Sequence, residues 1–190
     1  MGNRALIQPE GKNIGIYLHW NGGRDSVEAF LKYCELRGFR PFEDSYGFAR
    51  ACQVISNFLG GSLSIGIEDG VNVEDADWMD NGIYIVKGWK IVGRIPEDIC
   101  EQNVYDLNEM LRDIDAAQPE IDRLGEEFLT GEDVDYADLH AGDEIFVPDA
   151  NERLRKCMVV AIEGKLAYLA SGRYVCSLAP GRTYRRVTEN

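Results

Sequence analysis

The chain has 190 residues, 45% of them hydrophobic and 28% charged, and its 33 Asp and Glu against 20 Lys and Arg leave a net charge of −13. So many apolar side chains exclude a disordered acidic tail, and the negative field excludes a protein that grips nucleic acid through a broad basic surface. No apolar run approaches the roughly 20 residues that span a bilayer, and Met1-Gly2-Asn3-Arg4-Ala5 opens no signal-peptide stretch, so a cytoplasmic protein away from membranes is expected.

In chain order, residues 4–8 and 13–20 read as strands joined through Pro9-Glu10-Gly11-Lys12, a hairpin. Asp25 and Glu28 match a capping box ahead of a helix whose apolar positions Val27, Phe30, Leu31 and Cys34 recur at i, i+3, i+4 and i+7; Gly38 should stop it. A second helix starts near Ser45 or Tyr46, carries Phe48, Ala51, Cys52, Ile55, Phe58 and Leu59, and ends at Gly60-Gly61. Three further strands fall at 62–67, 82–87 and 89–94, the last two turning at Lys87-Gly88, with an acidic loop from Glu68 to Asp80 between. Val104, Leu107, Leu111 and Ile114 mark a helix within 103–124; Pro119 should end it, or begin a second one from its first turn. Five short strands follow at 143–148, 156–162, 165–170, 173–178 and 183–187.

The expected fold is therefore α+β: a mostly antiparallel sheet with two helices at 1–95, an acidic helical connector at 96–142, and a small SH3-like β-barrel at 143–190. The five cysteines are scattered without a C-x-x-C pair and read as small hydrophobes of a reducing compartment.

The charge is unevenly placed. Residues 96–144 hold 17 Asp and Glu against only Arg112 and Arg123, whereas the flanking segments nearly balance. Helical carboxylates three or four residues apart lie about 5–6 Å from one another, close to the spacing of phosphates along nucleic acid. Asp106, Glu109, Asp113, Glu120, Asp122, Glu126, Glu127, Glu132, Asp133 and Asp135 are thus candidates for contact with a basic surface. A solvated helix carrying solubility charge is the competing explanation, but such helices usually bring more basic partners than two. Arg153, Arg155, Lys156, Arg173, Arg182, Arg185 and Arg186, with Tyr168, Tyr174 and Tyr184, are expected to dock on the acidic stretch in preference to nucleic acid.

One other segment has the look of a site. His19-Trp20-Asn21-Gly22-Gly23-Arg24 links a strand to a helix N-terminus, where free amides and the Arg24 cation could receive an anion. Asp25 opposes this, and no P-loop or dinucleotide spacing follows. His19 has no nucleophile or orienting acid assignable to it, and no catalytic residue is named. Asp75-x-Asp77 lacks the remaining ligands of an EF-hand, so neither a metal nor a cofactor is assigned.

Met1-Gly2-Asn3-Arg4-Ala5, the run Gly15-Ile-Tyr-Leu-His-Trp-Asn-Gly-Gly-Arg-Asp-Ser-Val-Glu-Ala-Phe-Leu31, Tyr105-Asp-Leu-Asn-Glu-Met-Leu111 and Gly142-Asp-Glu-Ile-Phe-Val-Pro148 resemble a family of small acidic proteins from phages, plasmids and integrated mobile elements of gut bacteria. The resemblance brings no catalytic residues to carry over. What it implies is setting: accessory proteins of mobile elements often antagonise host defence, and acidic inhibitors of Cas effectors or restriction enzymes are one type. The expectation is a non-enzymatic protein that occupies a basic nucleic-acid-binding surface of a defence complex. One alternative is a small-ligand or phosphate-binding protein or enzyme using the His19 to Arg24 turn; another is a structural or assembly protein.

Overall fold

The computed structural model describes residues 2–61, 64–70, 80–96, 104–149, 153–161, 166–169 and 175–188. The chain divides into two compact units, Met1–Arg123 and Leu124–Asn190. The division falls inside the acidic stretch 96–142, which is therefore shared between them.

The first unit contains β1 (Ala5–Pro9), β2 (Ile14–Leu18), α1 (Arg24–Leu36), α2 (Ser45–Phe58), β3 (Ile65–Asp69), β4 (Ile83–Lys87), β5 (Lys90–Ile95) and α3 (Leu107–Ala117). Its sheet runs β3-β2-β1-β4-β5, antiparallel except for the β1–β4 pair. Alternation along the strands brings Ala5, Ile7, Ile16, Leu18, Tyr84 and Val86 to one face, all essentially inaccessible to water. Val27, Phe30 and Cys34 of α1 and Ala51 and Ile55 of α2 join them in the core, and Phe30 meets Phe58 edge-on at 5.3 Å between ring centroids. Burying groups of this size contributes about 1.5–3 kcal/mol each.

The start of α1 differs from the expected capping box. Gly23 is the N-cap, in extended backbone, and Asp25 lies in the first turn. The glycine pair lets the chain enter the helix two residues early, while the Asp25 carboxylate still complements the positive end of the helix. Glu28 is engaged elsewhere, with Arg24 at 3.6 Å and with the hydroxyl of Tyr105.

α3 packs on both other helices. The Tyr33 hydroxyl donates to buried Asp115 at 2.7 Å. Buried Gln118 donates to the carbonyls of Val54 (3.2 Å) and Ile114 (3.0 Å) and accepts from Asn57 (2.9 Å). The acidic helix is thus an integral third helix of the first unit.

The second unit contains α4 (Glu126–Leu129), β6 (Glu132–Asp135), β7 (Glu144–Pro148), β8 (Leu154–Val159), β9 (Leu166–Leu169), β10 (Val175–Ser177) and β11 (Thr183–Arg186). All five expected strands are present, but they do not form the SH3-like barrel. Among the described residues the sheet is open, in the order β10-β9-β8-β7-β11-β6, all antiparallel, with β10 and β6 unpaired at its ends. Strand number and spacing are the same for a barrel and an open sheet; closure depends on which edges pair. Here the edge beside β11 is taken by β6, a strand drawn from the acidic stretch. Val134, Leu139, Ile145, Cys157, Val159, Leu178 and Tyr184 form this unit's core. Among the described residues, no helix is long and apolar enough to cross a membrane.

Candidate functional site

The candidate acids separate into two groups. In the second unit, cross-strand pairing sets Arg185 opposite Asp133 and Arg186 opposite Glu132. Arg185 reaches Asp133 at 3.0 Å, and Arg186 pairs with Glu132 and, at 3.3 Å, with Asp143. Lys156 bridges Glu127 (3.1 Å) and Glu144 (3.5 Å), and Thr183 donates to Asp135 at 2.8 Å. Lys156, Arg185 and Arg186 therefore answer acids distant in sequence, which a search for i,i+4 partners misses, whereas Arg155 pairs with nearby Asp149 at 3.0 Å and not with the acidic stretch. Arg173, Tyr174 and the Tyr168 side chain lie outside the described residues, as do Asp75 and Asp77.

In the first unit, Asp106 is the N-cap of α3, its carboxylate accepting from the amides of Asn108 (3.0 Å) and Glu109 (3.1 Å). Asp106→Ala should therefore cost about 1 kcal/mol, read as a lower urea midpoint with helical content kept in the native state. Asp122 approaches Arg37 at 3.9 Å. Glu109, Asp113 and Glu120 are exposed and make no ion pair among the described residues. Leu111, Ile114 and Asp115 point the other way, into the helix packing, so amphipathicity turns Glu109 and Asp113 outward, and Glu120 follows in a short 3-10 turn after Pro119. Arg123 fixes the end of this ridge by donating to the carbonyls of Gln118 (2.9 Å) and Ala116 (2.8 Å).

The strand-to-helix turn is filled by the protein itself. The Gly22 amide donates to the Asn3 carbonyl at 2.8 Å, and a Cβ on Gly22 would lie 2.6 Å from that oxygen. Asn21 adopts a left-handed conformation, φ 58°. Tyr17 hydrogen-bonds His19 Nδ1 at 2.9 Å, and the His19 ring meets Trp20 edge-on with centroids 5.0 Å apart. Among the described residues no carboxylate pairs with His19, whose ring partner is the Tyr17 hydroxyl. Burial pushes the Cys34 thiol well up and that of Cys52 to about 11, which disfavours the reactive thiolate at both. Among the described residues no group of His, Cys, Asp and Glu converges as a metal set.

Arg24 belongs to a different place. A cleft of about 420 Å³ opens between α1, the start of β5 and α3. From α1 come Arg24, Glu28, Leu31, Lys32 and Glu35, stacked on one stripe by the helical period. Across from them stand Trp89, Lys90 and Ile91, with Leu107 of α3. His19 through Gly23 do not line it. Tyr105, whose hydroxyl is held by Glu28 beside the cleft, is pushed up to about 12 by burial and that carboxylate.

No protein-family model, curated protein or solved structure matches this chain.

Proposed function

We propose that the protein is a non-enzymatic binding protein of a phage or mobile element whose acidic α3 ridge engages a basic, nucleic-acid-handling surface of a host-defence complex such as a Cas effector or restriction enzyme. The observation that carries this is the contrast between the two groups of acids. In the second unit Glu127, Glu132 and Asp133 are paired with the chain's own lysine and arginines, while Glu109 and Asp113 stand exposed on a helix anchored by Tyr33 and Gln118, with Glu120 exposed just beyond its end. A ridge held rigid before binding loses little conformational entropy on docking, and its field accelerates encounter with a cationic groove. Glu126 is exposed as well, but it belongs to the second unit.

The test is a pull-down from bacterial lysate containing a guide-loaded type II Cas effector, using wild type and the triple variant Glu109→Lys, Asp113→Lys, Glu120→Lys. Wild type should retain the effector in a manner weakened by salt and by competing DNA. The triple variant should lose at least about tenfold in retention while its thermal unfolding stays near that of wild type. Equal retention by both proteins would refute the assignment to α3.

A further inference from the structure

We propose that the cleft between α1 and β5 binds a small amphipathic monoanion, an apolar body carrying one carboxylate. This inference is independent of the acidic-ridge reading. It rests on how charge and apolar surface are distributed around the cleft.

The first unit is strongly acidic overall, yet its cleft is lined by three cations, Arg24, Lys32 and Lys90, against two carboxylates, Glu28 and Glu35. The carboxylates are already engaged. Glu28 takes Arg24 and the Tyr105 hydroxyl, and Glu35 takes Lys32 at 2.7 Å. The Lys90 ammonium has no ion-pair partner among the described residues. One positive charge is left uncompensated over a floor of Leu31, Trp89 and Ile91.

That floor is held in place from behind. Leu31 is buried, and the Trp89 indole N–H is committed to the Phe39 carbonyl at 3.2 Å while its ring packs on Phe42. Trp89 therefore offers the cleft an apolar surface and no free donor. The volume falls within the range of small-molecule sites, and Leu31, Trp89, Ile91 and Leu107 give the cleft an apolar wall beside its five charged side chains. An added peptide strand fits less well. The edge strand β5 is interrupted by a bulge between its pairings with Ile85 and Val86, and Lys90 stands on it, two features that discourage edge pairing.

The test uses the full-length, isotopically labelled chain titrated with decanoate and, separately, with decanol, followed by two-dimensional ¹H–¹⁵N NMR. Decanoate should shift the amides of Lys32 and Ile91 and the Trp89 indole resonance saturably, leaving the signals of residues 124–190 in place. Decanol should bind about fivefold or more weakly, and Lys90→Glu should raise the Kd for decanoate by a similar factor. Lys90 is exposed and unpaired, so this variant is expected to stay folded, which the same spectra verify. Equal affinity for decanol and decanoate, no effect of Lys90→Glu, or shifts spread without saturation over both units would overturn the proposal. So would a Leu–Asp alternating hexapeptide that shifts the β5 amides when decanoate does not.

Discussion

Gly47→Ala should destabilise the first unit by about 2–3 kcal/mol, although the same exchange in an ordinary helix gains up to about 1 kcal/mol. The reversal of sign is set by geometry. Gly47 sits in the first turn of α2, and a Cβ there would lie 2.2 Å from the carbonyl oxygens of both Arg40 and Pro41. These are backbone atoms, so no side-chain rotation relieves the clash. Either α2 tilts, disturbing the buried Ala51 and Ile55, or residues 40–41 move and loosen Phe42, whose ring stacks on Phe48 at 5.3 Å. Urea unfolding should show a lower midpoint at unchanged slope. A neutral or stabilising result would mean that the 40–41 segment yields freely.

Asp115→Ala should cost a comparable amount, about 2–3 kcal/mol, because it leaves the Tyr33 hydroxyl buried without its acceptor. Tyr33→Phe removes the donor instead and strips a hydrogen bond from a buried carboxylate. The two changes meet at one bond, so the double variant should cost less than the sum of the singles. Burial, reinforced by the Asp115 carboxylate, holds the Tyr33 hydroxyl far above the usual phenol range. A folded value raised in this way gives stability that is complete below the unfolded value near 10 and lost as pH rises beyond it. The first unit should therefore weaken in alkali, and Tyr33→Phe should flatten that part of its pH profile. An additive double-mutant cycle would show that α3 does not depend on this bond.

Local patterns revealed most of the elements. Val27, Phe30, Leu31 and Cys34 announce α1, and all four are buried in it; Lys87-Gly88 announces the β4–β5 turn, where Gly88 has φ 60°. What stayed hidden depends on contacts between distant residues. β6 lies in the stretch that reads as an acidic helical connector, since only Val134 among its four residues is buried, and it becomes a strand by pairing with β11 across roughly fifty intervening positions. The helical assignment of α3 follows from its apolar stripe, but nothing in that stripe says that Tyr33 and Asn57 await it. Of the candidate site, the charge imbalance was visible in composition, whereas the division into neutralised and free carboxylates was not. Arg185 lies 52 positions from Asp133, and Arg186 lies 54 from Glu132. The cleft was invisible for the same reason, since α1, β5 and α3 come together only in the folded unit.

The place of β6 at the end of its sheet gives Glu132, Asp133 and Asp135 a duty separate from recognition. A terminal strand offers unmatched backbone donors and acceptors to any passing chain, and charged side chains along it discourage a further strand from adding there. The arginines of β11 hold two of these carboxylates beside the backbone they guard. The same kind of side chain that would draw a basic partner to one helix thus discourages edge-to-edge pairing of this sheet.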